Sequence, residues 1–135
     1  MLSYGYVALG GAIGSMLRFG INRWLTLFLG DALPWGTILI NIGGSFIIGL
    51  FAALFEGAAG TSTPLELRQF VLVGLCGGFT TFSSFSLQTL TLLNAGEPGR
   101  ALINIALSLA LCLTAVALGY MLPGTITTLS RSVGA

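Results

Sequence analysis

Histidine and lysine are absent from this sequence, and charge is sparse: five arginines and four carboxylates in 135 residues. Without histidine, and with Asp31, Glu56, Glu66 and Glu97 scattered along the chain, neither a common hydrolytic metal site nor a Ser-His-Asp triad can be assembled. No enzyme is expected. A net charge of +1 with no lysine leaves no basic patch for a phosphate backbone, so nucleic acid is not an expected partner. The two cysteines, Cys76 and Cys112, fall inside apolar segments without the paired spacing of a zinc or redox motif. They read as small buried apolar side chains. No basic residue precedes the first apolar run, the first being Arg18, so that run lacks the pattern of a cleavable signal peptide.

What the sequence has is apolar surface. Hydrophobic residues make up 55% of the chain and charged ones 7%, too little polar surface for a water-soluble domain of this length. A helix crossing roughly 30 Å of hydrocarbon needs about 20 mostly apolar residues. Four such spans are expected, at about residues 3–29, 34–56, 65–93 and 100–122, in a single transmembrane domain. Gly30 and Asp31 mark the end of the first, and Pro34 opens the second. AAGTSTP, residues 58–64, reads as a surface loop in which Thr61 or Thr63 caps the next helix. Gly74, Gly77 and Gly78 inside GLCGGFTTFSSFS predict a break in the third span. NAGEPG at Asn94–Gly99 is a short turn, the fourth span is expected to stop before Pro123, and the tail to Ala135 is expected to fray. Short connections make neighbouring helices antiparallel in one bundle. Small residues at helical spacing, Gly10 with Gly14 and Gly74 with Gly78, allow close helix contact.

Basic residues at the span ends normally set orientation. Here Arg68 and Arg131 fall on one side and Arg23 and Arg100 on the other, with Arg18 joining the latter if its helix is deep enough. That balance permits insertion both ways up and makes an antiparallel homodimer plausible, unless flanking context selects one orientation.

Polar groups inside hydrocarbon need a partner or an aqueous path. The informative ones are Arg18, Asn22, Asn41, the run Thr80, Thr81, Ser83, Ser84 and Ser86, then Gln88, Asn104, Ser108 and Thr114. Asn104, Ser108 and Cys112 recur at every fourth position and form a stripe on the fourth helix. Interhelical hydrogen bonding at about 1 kcal/mol or less per contact explains any single hydroxyl. The whole run together with Asn41 reads as a permeation path. All four carboxylates sit near span ends, which argues against a proton-coupled cation antiporter. Neutral amide and hydroxyl donors and aromatic ring edges suit an anion. Arg18 either attracts anions from a vestibule or snorkels to the interface. Unwound backbone near Gly77, Gly78 and Thr80 is able to offer carbonyls to a cation, although packing or a kink explains the glycines equally well.

Three blocks carry a resemblance: GGAIGSMLRF at Gly10–Phe19, PWGTILINIGGSFIIG at Pro34–Gly49, and GLCGGFTTFSSFS at Gly74–Ser86. In this order, and with the specific pattern GGxTTFSxFS in the last, they resemble the CrcB/Fluc fluoride channel family across nearly the whole chain. The resemblance implies an all-α membrane protein, an antiparallel dual-topology homodimer in the bacterial cytoplasmic membrane, with two fluoride pores lined by both subunits. It implies that Phe82 and Phe85 present ring edges to fluoride, that Asn41 donates to it, and that Ser83, Ser84, Ser86 and Ser108 contribute hydroxyls. It further implies a structural sodium ion at the dimer interface, held by carbonyls of Gly77 and Thr80, and no organic cofactor. Arg18 aligns with the family's first-helix arginine.

Some positions depart from the family pattern. Gln88 stands where many members have glutamate, Asn104 where an aromatic or histidine is frequent, and Cys112 where a hydroxyl often continues the stripe. Two other readings stay open: a small four-helix multidrug-type exporter, which should carry a central carboxylate, and a non-transporting membrane scaffold.

Overall fold

Each helix boundary follows from local chemistry. The computed structural model describes residues 2–56 and 63–133, with side chains as far as Ile126. Helix α1, Leu2–Leu29, stops at Gly30, whose positive φ of 71° lets its N–H turn back to the Thr26 carbonyl at 3.2 Å. Helix α2, Trp35–Glu56, follows Pro34, which lacks an N–H and lends its carbonyl to the Ile38 amide at 3.0 Å.

The third span, Leu65–Asn94, is built in pieces. Helix α3, Leu65–Arg68, leads into a π-helical stretch, Gln69–Cys76, then helix α4, Gly77–Phe79. Thr80 and Thr81 are extended, and helix α5, Phe82–Asn94, resumes beyond them. The NAGEPG turn closes α5 with Gly96 at φ 76°: the Gly96 amide donates to the Leu93 carbonyl and the Glu97 amide to that of Leu92, both at 3.0 Å. This is a Schellman closure. Helix α6, Pro98–Val133, completes the described chain.

The described residues contain helices and no strand, in keeping with the expected all-α class. Three helical segments are long and apolar enough to cross a membrane: Trp35–Glu56, Leu65–Asn94 and Pro98–Ile126. At 28 residues α1 is also long enough, but Arg18, Asn22 and Arg23 interrupt its apolar surface.

Glycines set the helix contacts. A Cβ on Gly10 would lie 2.5 Å from the Phe70 carbonyl oxygen, and one on Gly78 2.6 Å from that of Gly11. Thus α1 meets the π-helical stretch and α4 backbone to backbone, as the small residues predicted. On the other side Gly49 and Gly119 seat α2 against α6, where added methyls would collide with the carbonyls of Val116 and Phe46. Buried Phe55, Val71 and Cys76 form a small apolar cluster between α2 and the π-helical stretch. Large apolar side chains such as Met16, Trp24, Leu27 and Leu113 face outward, as a lipid solvent allows.

Two boundary expectations change. Pro123 does not end the fourth helix; α6 runs through it. A proline forfeits one helical hydrogen bond, and in this setting the loss does not stop the remaining ladder. At the start of α3 the cap position belongs to Pro64, with no side-chain capping bond. Thr61, and all of the AAGTSTP loop except Thr63 and Pro64, lie outside the described residues, as does the end of the tail.

Candidate functional site

The break in the third span organises the site. Asn41, six residues into α2, brackets it: its Nδ2 donates to the Thr81 carbonyl at 3.0 Å, and its Oδ1 accepts from the Thr81 amide at 2.8 Å. Thr81 in turn caps α5, its Oγ1 accepting from the Ser84 amide at 3.1 Å. In an unbroken helix the Thr81 amide would serve the Gly77 carbonyl and the Ser84 amide that of Thr80. Both amides are diverted, so the Gly77 and Thr80 carbonyls lose their helical partners. The Gly78 carbonyl is covered instead by Arg18 Nε at 3.1 Å and Ser15 Oγ at 3.5 Å. Arg18 is half-buried, with its Nε turned onto the break.

Two cavities meet at Thr81. One, of about 240 Å³, is bounded by Asn41, Ser45, Thr80, Phe82, Phe85 and Ser108, together with Cys112 and flanking aliphatics. The other, of about 190 Å³, holds Arg18, Asn22, Thr37, Ser84 and Gln88. The structure therefore brings Asn41, Phe82, Phe85 and Ser108 together, and places Ser84 with Arg18 next door. Ser83 and Ser86 line neither cavity and lie on the exposed face of α5. The rings of Phe82 and Phe85 are 5.3 Å apart and tilted by 48°. Phe85 is 8% exposed, whereas Phe82 is 73% exposed.

Tracing the protons shows which donors are free. Thr81 Oγ1 donates to Ser84 Oγ at 3.0 Å and contacts Ser83 Oγ at 3.2 Å. Its one proton goes to Ser84, which leaves Ser83 to donate back to Thr81 and the Ser84 proton unused. Ser86 gives its proton to the Phe82 carbonyl at 2.9 Å. Ser108 is buried with no partner for its hydroxyl. Asn41 keeps its second N–H. Asn41, Ser84 and Ser108 are thus among the free neutral donors at the break.

Two neighbours escaped the sequence reading. Ser45 lies one helical turn after Asn41 and lines the larger cavity. Thr89 lies one turn after Phe85, buried, and accepts a hydrogen bond from Asn104 at 2.8 Å. In each case the signal was the four-residue spacing from a residue already singled out.

Among the described residues no three metal-ligating side chains gather, so a cation at this site would depend on main-chain oxygen. The freed carbonyls of Gly77 and Thr80 are neutral, hard oxygen donors of the kind that suit a weakly charged cation.

Residues 5–120 match the family described as CrcB-like protein, Camphor Resistance (CrcB). The chain is 50% identical to the fluoride-specific ion channel FluC of Opitutus terrae, over 90% of this chain and 92% of that one. It is 48% identical to that of Rhodospirillum rubrum, over 89% and 93%, and 49% identical to that of Thermus thermophilus, over 91% and 94%. With matches of this extent over helices long and apolar enough to cross a bilayer, the chain is a multi-pass membrane protein belonging to the CrcB family.

Proposed function

We propose that this protein is a fluoride-selective channel that lets the anion leave the cell passively. The observation that carries the reading is the cavity at the helix break, where Asn41, Ser108 and the Phe82 and Phe85 rings face one space beside a chain of neutral hydroxyls. Fluoride is small and tightly hydrated, so a filter must replace its water with close donors. The unused protons of Asn41, Ser84 and Ser108 and the positive ring edges supply them. Larger halides fit such a site poorly. No coupling partner is needed: the neutral acid enters from acidic surroundings and ionises, and the membrane potential drives the anion out.

Arg18 raises the local anion concentration beside Ser84 and steadies the break through Gly78. Ser83 and Ser86 donate to fluoride only once their hydroxyls turn away from Thr81 and from the Phe82 carbonyl, which now engage their protons.

The working unit in this reading has four spans per subunit, α1 being the first, and two subunits in opposite orientation. Support comes from the even split of arginines between the two faces and from Phe82, a large apolar ring whose exposure suits a partner surface. A sodium ion between the subunits would be held by the Gly77 and Thr80 carbonyls, where it would fix the two breaks against each other. The scaffold reading needs hydroxyls that bond between helices, whereas Ser86, Thr91 and Thr114 bond back to carbonyls of their own helices.

Fluoride efflux from proteoliposomes decides between them. Rapid, electrogenic fluoride flux with little chloride flux is expected; well-folded protein that passes no fluoride would leave the scaffold standing.

A further inference from the structure

A second asparagine sits on the far side of Phe85 from Asn41. Asn104, on α6, is completely buried, an expensive position for an amide within an apolar helix. Its Nδ2 donates to Thr89 Oγ1 at 2.8 Å, and Thr89 Oγ1 donates to the Phe85 carbonyl at 2.8 Å. Thr81, Phe85 and Thr89 lie at successive four-residue steps, on one face of the third span. Asn41 of α2 grips the first of them and Asn104 of α6 the last. Phe85 therefore lies between two amide clamps anchored in two different helices.

The Asn104 contact does little else. Its Oδ1 is buried without a partner, so the side chain is poorly satisfied as a purely stabilising group. An apolar residue of similar shape would pack at this depth without that penalty. The clamp, by contrast, resists rotation of α5 about its axis, and such a rotation would swing the Phe85 ring out of the cavity that Asn41 and Ser108 share with it.

We propose that Asn104 is a positioning residue for Phe85, acting through Thr89 to fix the ring at the anion path. The proposal rests on the reading of Phe85 as part of that path. Asn104 touches no permeating ion in this account. It sets the helix phase, and Thr89 carries the effect to the Phe85 main chain.

The test compares Thr89→Val, Thr89→Ser, Asn104→Leu and the double variant Thr89→Val with Asn104→Leu, each reconstituted sparsely so that vesicles hold one channel or none. Two readouts are separated: the rate of fluoride loss from active vesicles and the fraction of vesicles that are active. A fluoride-conducting unaltered protein in the same preparation establishes the underlying reading first; absence of flux there is a failure of that reading and not of the clamp. With flux present, the rate per active vesicle should fall about tenfold in Thr89→Val and in Asn104→Leu. The double variant should be no slower than either, because both remove one linkage. Thr89→Ser keeps the hydroxyl and should run at the unaltered rate. Multiplying losses in the double variant, an unaltered rate in Thr89→Val, or slowing of Thr89→Ser equal to that of Thr89→Val would each overturn the proposal. So would a fall confined to the active fraction, which marks a folding defect alone. Thr89→Val differs from threonine only at the hydroxyl, so the comparison with Thr89→Ser stands even if Asn104→Leu fails to assemble.

Discussion

Phe82 and Phe85 differ in surroundings more than in chemistry. Both belong to the cavity at the break, yet one ring is largely exposed and the other buried. Replacing either with isoleucine keeps apolar bulk and removes the positive ring edge. Fluoride flux is expected to fall about tenfold or more in each, a barrier increase of about 1.4 kcal/mol, while the protein still elutes as an intact assembly. Unchanged efflux from both would remove the phenylalanines from the path. Asn41 carries a double load, since the same amide brackets Thr81 and offers a proton to the cavity. Asn41→Leu orphans the Thr81 N–H and should cost about 1–3 kcal/mol of stability, seen as a lower midpoint of thermal aggregation in detergent. Asn41→Asp keeps the acceptor for the Thr81 amide but loses both N–H donors and adds negative charge. It should remain closer to the original in stability and conduct far less; retention of full flux would mean that the amide donor plays no part in permeation.

The break in the third helix was legible in the sequence because Gly77, Gly78 and the two threonines weaken a helix within an otherwise apolar run. The stop at Gly30 was equally plain, since glycine followed by Asp31 is a common helix ending. The π-helical stretch Gln69–Cys76 was not legible: its apolar residues fit a tighter helix as well, and no residue type in it marks the wider turn that packs against α1. Gly49 and Gly119 passed unremarked because their importance is tertiary, each facing a carbonyl of the other helix. Thr89 was hidden differently, a lone hydroxyl whose partner Asn104 comes fifteen residues later across a turn. The glycine contacts give a prediction at this scale. Gly49→Val or Gly119→Val drives a branched side chain into a helix carbonyl, so α2 and α6 must separate. Either change should sharply reduce the yield of monodisperse protein, whereas Gly124→Val, with open space where its Cβ would go, should leave the yield nearly unaltered. Equal yields for all three would contradict the close packing of α2 on α6.

At the scale of the whole molecule the described chain has too little interior for its polar groups. Exposed Phe82, half-buried Arg18 and the freed carbonyls of Gly77 and Thr80 all gather at one level, around the break. Exposing freed carbonyls to hydrocarbon would cost several kcal/mol each, and the proposed dimer, with a cation between the paired breaks, would remove that cost. In the proposed dimer the cation would add binding free energy to association alone, because a single subunit would offer it only two main-chain oxygens. By mass action its removal must then weaken the dimer and leave the individual fold largely intact. Purification with a bulky organic cation in place of sodium should therefore shift the protein toward monomer in detergent, with the helical circular dichroism signal preserved and the dimer restored when sodium returns. A dimer indifferent to cation identity would show that the carbonyls are covered by contacts between the subunits themselves. In that event the diverted amides of Thr81 and Ser84 would matter only for turning the helix, and the sodium assignment would have to be abandoned.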